Sequence, residues 1–396
     1  MTRGLRRVRS LVPALLVGLL LAGCTSGAPD VAPVSSAPLA PAVTPTPTAT
    51  ATPSLTQRAE ALVTAMSPAE RAGQVLMTAG TVAQLPGLAS VVDRYHVAGV
   101  MVRGRSGAGT AAVAKAFGPV RAAAPDGLPL LTATDQEGGT VQVLSGPGFS
   151  RIASAVVQGR GSASATRSDA ERWGRQLAAA GVRLDLAPVA DVPCAATLHD
   201  NPPVAALDRQ YSSDPAVAGA HVDAFVAGMR AAGVETAVKH FPGLGCVTAN
   251  TDTAAHVVDR TTTADSPRLR SFEDGIAAGT GFVMVSSAEY ARIDPGTPAL
   301  FSSRIVRGML RDRLGFDGVV VSDDVGGAVA VRAWSPGQRA VKFVRAGGDL
   351  LLDVQPADLP TMHAALVSTA TDDAAFDRAL TAAAVRVVTA RLRLAD

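Results

Sequence analysis

Residues 281–324 read GFVMVSSAEYARIDPGTPALFSSRIVRGMLRDRLGFDGVVVSDD, and this stretch decides the fold. The apolar, β-rich runs 281–286 (GFVMVS) and 317–322 (DGVVVS) have strand length and lead into polar residues. Between them, 302–314 (SSRIVRGMLRDRL) has a helical pattern. Strand, helix and strand in that order predict parallel strands joined by a right-handed crossover. The same texture recurs outward in both directions. Further strands are predicted at 74–79 (QVLMTA), 98–102 (AGVMV), 128–134 (LPLLTAT), 183–189 (RLDLAPV), 235–239 (ETAVK) and 348–353 (GDLLLD). Helices are predicted at 168–180, 214–232 and 336–346, and a long amphipathic helix over 372–394. Eight strand units predict an α/β protein built as a closed (β/α)8 TIM barrel, spanning 55–396. The alternative is an open doubly wound sheet, which would want a glycine-rich phosphate loop after its first strand. That strand runs instead into TAGTVAQLPG (78–87), which is no such fingerprint.

Upstream of residue 55 the chain changes character. Arg3, Arg6, Arg7 and Arg9 precede an apolar run over 11–23, shorter than the roughly 20 residues that span a bilayer. This reads as a signal peptide over 1–23. It ends in Leu21-Ala22-Gly23-Cys24, small residues directly before a cysteine, which resembles a bacterial lipobox with Cys24 as the lipidated residue. An ordinary signal peptide with a chance cysteine is the plainer alternative. Residues 24–54 are almost wholly Ala, Pro, Thr, Ser and Val, a composition unable to bury enough apolar surface to offset its ordering entropy. They are expected to form a disordered tether reaching up to roughly 90 Å. Together these features predict an exported protein, lipid-anchored through Cys24 to the outer face of the cytoplasmic membrane. The net charge of +2, with dispersed Lys and Arg, argues against a nucleic-acid partner.

In such a barrel chemistry sits at the C-terminal ends of the strands. Those positions hold Asp135, Asp191, Lys239-His240, Ser286-Ser287, Glu289, Asp323-Asp324 and Asp353. Charged groups converging on one half-buried rim call for pairing or function. The pattern implies a barrel enzyme with carboxylates and leaves the substrate open.

Three segments narrow it: TDQEGGTVQ (134–142), KHFPGLGCVTANTD (239–252) and GFDGVVVSDD (315–324). Together they resemble glycoside hydrolase family 3, specifically its NagZ-type β-N-acetylglucosaminidases, from about residue 56 to the C-terminus. The resemblance implies a retaining exo-β-N-acetylglucosaminidase acting on amino-sugar glycan from peptidoglycan, without cofactor or metal, as a monomer. Retention needs a carboxylate nucleophile and a proton donor about 5 Å away. Asp323 matches the family's nucleophile and Asp324 suits a helix cap. Lys239 and His240 match the hydroxyl-binding pair, Asp135 the carboxylate that grips the non-reducing sugar, and Arg209 the arginine of a sugar-contacting segment.

The chain departs from the family where the general acid/base is expected. The usual Asp-Ser-His triplet is here Asn250-Thr251-Asp252. Three readings stand: Asp252 itself acts as acid/base, His256 folds inward to do so, or the acid is lost. The last would leave a slow enzyme or a lipid-anchored sugar-binding protein. A related β-glycosidase or a phosphorylase remains the enzymatic alternative. After DQEGG the family's two arginines are replaced by Thr140 and Val143. Finally, Cys194 and Cys246 follow the fourth and fifth strands, in neighbouring rim loops. A disulfide between them is expected, closing a loop of about fifty residues and stabilising the fold by roughly 4 kcal/mol.

Overall fold

The computed structural model describes residues 53–394. The signal peptide of 1–23, lipidation at Cys24 and all but the last two residues of the 24–54 tether lie outside the described residues. Eight parallel strands run in chain order: β1 Leu76–Gly80, β2 Gly99–Val102, β3 Leu131–Thr134, β4 Leu184–Asp185, β5 Glu235–Phe241, β6 Phe282–Val285, β7 Val319–Ser322 and β8 Leu351–Asp353. Each pairs with its neighbour, and β8 returns to β1 through Leu76–Leu351. An isolated bridge between Val321 and Leu350 closes the ring between β7 and β8. The protein is a (β/α)8 barrel.

Local chemistry sets where the elements stop. The predicted 183–189 strand shortens to Leu184–Asp185, because Pro188 has no N–H to donate; Val189 then re-pairs with Lys239 as a single bridge. The first strand begins at Leu76 rather than at 74, since Pro68–Gln74 is a helix. Ser67 and Glu70 form its capping box, with Pro68 opening it. The segment 302–314 is helical but wound as a π-helix, Arg304–Arg313. The closing helix runs Ala374–Arg393 behind a separate one, Leu359–Asp372.

Side chains alternate across each strand. Met77, Met101, Leu131, Leu184, Ala237, Phe282, Val319 and Leu352 fill the barrel, whereas Leu76, Val100, Val238 and Leu351 pack outward under the helices. The final helix sends Val387 and Ala390 into the interior cluster. Its buried Arg391 donates to the carbonyls of Pro129 (2.8 Å) and Leu128 (3.1 Å) and bonds the side chain of Gln74. All three precede strands, so this helix closes the N-terminal end of the barrel. Polar groups gather at the other end.

Candidate active site

At the C-terminal rim a cavity of about 420 Å³ is lined by Asp135, Arg209, Lys239, His240, Asp252 and Asp323. These side chains come from β3, β5, β7 and the loops after β4 and β5, so only closure of the barrel brings them together. His256 does not join them. Its side chain is 86% exposed, and its Nδ1 lies 3.7 Å from Glu289 Oε1. Of the three acid/base readings, the one that has His256 fold inward is not the arrangement in this structure: at a left-handed backbone (φ 54°) its ring lies on the surface.

One half of the cavity is a closed ionic network. Lys239 Nζ lies 2.6 Å from Asp135 Oδ1 and 2.7 Å from Glu137 Oε1. Arg209 grips Glu137 through Nε (2.8 Å) and Nη2 (2.7 Å), while its Nη1 donates to the Pro203 carbonyl at 2.7 Å. Burial drives the Glu137 carboxyl up, but Arg209 and then Lys239 outweigh burial and hold it at about 2. Burial likewise opposes the charge on Lys239, yet Asp135 and Glu137 raise its pKa above the ordinary lysine value. Asp191 is fully buried and takes His240 Nδ1 at 2.7 Å. Its Oδ1 accepts the backbone N–H groups of His240 (3.2 Å) and Leu244 (2.8 Å). The contact with Asp191 puts a proton on Nδ1, and Nε2 lies 3.4 Å from Arg209 Nη2.

Sequence reasoning gave Glu137 no role and Asp191 only a place on the rim. A signal for Glu137 existed: it sits two residues after Asp135, and the short strand Gln136–Gly138 puts alternate residues on one face.

The other half is built differently. Asp323 directly follows β7, and among the described residues its Oδ1 accepts only the Asp324 N–H (2.9 Å). Burial raises its pKa to about 6, with His240 opposing and the nearby Asp252 adding to the rise. Asp324 is turned away into the loop. Its oxygens accept Gly326 (2.9 Å), Gly327 (3.0 Å) and Val354 (3.1 Å) N–H groups, a cap for the turn. Asp353, also at a strand end, stays behind the wall and accepts the Gln355 N–H at 2.6 Å.

Asp252 rides on a braced loop. Asn250 Oδ1 accepts the Asp252 N–H at 2.9 Å, and the Thr251 and Asp252 carbonyls accept Ala330 (3.0 Å) and Val329 (3.4 Å) N–H groups from the loop after β7. At the loop's base Cys194 and Cys246 are bridged, with Cα atoms 5.0 Å apart. Buried Asn201 donates to the Leu244 (2.7 Å) and Val247 (2.9 Å) carbonyls. Gly245 is required there, since a Cβ would meet the Val192 carbonyl oxygen at 2.0 Å. Among the described residues no cluster of three or more His, Cys, Asp or Glu is arranged to hold a metal ion.

A fixed carboxylate, a second carboxylate across the cavity and a rigid polar grip are suited to displacement at a sugar's anomeric carbon. Comparison with known proteins agrees. Residues 69–390 match the family model described as the glycosyl hydrolase family 3 N-terminal domain. A β-N-acetylhexosaminidase structure from Beutenbergia cavernae superposes with a TM-score of 0.80 at 46% identity, covering 82% of this chain and 98% of that one. LpqI of M tuberculosis superposes with a TM-score of 0.71 at 26% identity, covering 83% of this chain and 95% of that one. A β-hexosaminidase from Xanthomonas campestris is 35% identical over 276 residues, 66% of this chain and 78% of its own.

Proposed function

The chain belongs to glycosyl hydrolase family 3, and from that premise we propose that it is a retaining exo-β-N-acetylglucosaminidase working through Asp323 and Asp252. Asp323 attacks the anomeric carbon from below while Asp252 protonates the leaving glycosidic oxygen. The covalent glycosyl–Asp323 ester then yields to water, whose proton returns to Asp252. Asp135, Lys239, Arg209 and His240 hold the hydroxyls of the non-reducing sugar, with Glu137 and Asp191 as positioning residues behind them.

The observation that carries this reading is that Asp323, half-buried and sparsely bonded, lines one cavity together with Asp252. The choice of N-acetylglucosamine is supported by the hexosaminidase relatives. The lipobox-like Leu21-Ala22-Gly23-Cys24 and the 24–54 tether support an anchored enzyme at the outer face of the cytoplasmic membrane. Peptidoglycan-derived amino-sugar fragments are the substrate such a location would offer.

Hydrolysis of an aryl β-N-acetylglucosaminide by the wild type, Asp323→Ala and Asp252→Ala tests the assignment. Turnover by the wild type, none by Asp323→Ala, and azide rescue of Asp252→Ala are expected. A wild type inert on aryl N-acetylglucosaminides and aryl glucosides, with or without phosphate, would leave a sugar-binding protein.

A further inference from the structure

At the N-terminal end of the barrel, opposite the catalytic rim, a separate cavity of about 350 Å³ opens between helices. Its walls come from the π-helix Arg304–Arg313, the closing helix Ala374–Arg393 and the turn 347–349 that leads into β8. Three guanidiniums line it, those of Arg307, Arg311 and Arg386, together with the carboxylates of Asp312 and Asp349.

Asp349 is already engaged. It is fully buried and accepts from Arg311, from Arg386 Nη1 at 2.9 Å and from the Val320 N–H at 2.7 Å. Asp312 is exposed, and the two paired arginines turn to Asp349 instead. The guanidiniums keep donors in reserve. Arg311 gives Nη1 to the Phe316 (2.8 Å) and Gly318 (2.6 Å) carbonyls, but its Nε is buried without a hydrogen-bond partner. Among the described residues Arg386 bonds only through Nη1, to Asp349 and to the Ala382 carbonyl at 3.3 Å. Arg307 bonds only through Nη2, to the Arg345 carbonyl at 2.8 Å, and meets no carboxylate there. The turn is shaped around it: a Cβ at Gly347 would meet Arg307 Cγ at 2.7 Å. Burial, with Arg386 adding to it, holds the Arg311 pKa below the ordinary arginine value although Asp349 opposes them. Positive charge is in excess at this end of the barrel.

A guanidinium presents a planar fork of donors that matches carboxylate and phosphate oxygens. The two oxygens of a carboxylate would leave one of three forks unmet. A tetrahedral phosphate offers oxygens in several directions and takes charge-assisted bonds from all three.

We propose that this cavity is a phosphate-binding site, separate from the catalytic cavity. The phosphate is carried by a soluble phosphorylated compound or by the headgroup of an anionic phospholipid. On a headgroup, this end of the barrel would face the bilayer and the catalytic rim would face away from it. The inference does not depend on the glycosidase reading.

Titration calorimetry at fixed ionic strength compares the full-length wild type, Arg307→Gln and Ala382→Glu. Ala382 is exposed and lines the cavity, so Ala382→Glu adds a carboxylate without removing an arginine. The probes are inorganic phosphate and glycerophosphoglycerol, the water-soluble headgroup of phosphatidylglycerol. The wild type should bind at least one probe, and each variant should weaken that binding about 10-fold or more. Tighter binding of glycerophosphoglycerol points to a lipid surface, and tighter binding of inorganic phosphate to a soluble compound. Thermal unfolding followed by circular dichroism separates lost binding from lost fold, and if one variant fails to fold the other decides. No binding of either probe by the wild type, or binding unchanged in a folded variant, overturns the proposal.

Discussion

The two halves of the cavity hold similar residues in opposite electrostatic states. Around Glu137 every charge has a partner: Arg209, Lys239, Asp135, and His240 with its Asp191. Around Asp323 the half-buried carboxyl has one backbone donor and a neighbouring acid, and desolvation raises its pKa to about 6 rather than lowering it. A paired network resists movement and suits groups that hold a substrate still. An under-bonded carboxylate has lone pairs to offer and suits a group that must form a bond. The difference also divides stability from reactivity, since buried charges without partners are tolerated mainly where function needs them.

Substitutions on each side should therefore fail in different ways. Asp323→Asn is expected to lower kcat/KM on an aryl N-acetylglucosaminide by about 10⁴-fold or more, yet to fold better. Its folded pKa is raised from 3.8 to about 6, so the native state disfavours the carboxylate and loses stability as pH rises through that window. Asp323→Asn should be stabilising by ~2 kcal/mol above about pH 6 and neutral below about 4, as read by urea unfolding at both pH values. The wild-type kcat/KM should rise through about pH 6 as Asp323 ionises. A destabilised Asp323→Asn at pH 7 would break the comparison.

Glu137→Ala should do the reverse. It strips Arg209 and Lys239 of their shared buried partner, at a cost of about 3–5 kcal/mol at neutral pH. The Glu137 pKa is depressed from 4.5 to about 2, so its contribution is fully present above 4.5 and fades as pH falls through 2. The variant's deficit in urea unfolding should shrink at pH 3 relative to pH 7.

Cys194→Ser with Cys246→Ser opens a bridge across a sequence separation of 52 and should cost about 2–4 kcal/mol. Because that bridge braces the Asp252 loop, kcat should fall more than KM rises. His256→Ala should change kcat/KM by less than about 2-fold, since its ring is exposed and outside the cavity. A larger loss would return the acid/base role to this residue.

Much of this was legible in one dimension. Eight β-rich runs with helical patterns between them were enough for the barrel, because strand burial and helix amphipathicity are written into residue order. Rim residues were legible because they directly follow those runs, as Asp135 and Asp323 do. Strand length was less so: Pro188 could have warned that 183–189 would not pair throughout. The π winding of Arg304–Arg313 left no signature in its spacing.

By itself the sequence determined the barrel, the rim as the place of chemistry, and the family, since all three rest on local pattern and short contiguous motifs. Only the tertiary structure decided which acids are partners and which are left alone. Glu137 meets Arg209 across 72 residues of chain and Lys239 meets Asp135 across 104. Asp252 reaches the cavity of Asp323 on a loop pinned to another loop, while Arg103 Nε is buried with no hydrogen-bond partner among the described residues. Charge pairing and desolvation depend on distances of a few ångströms between residues far apart in the chain, and residue order carries no such distances.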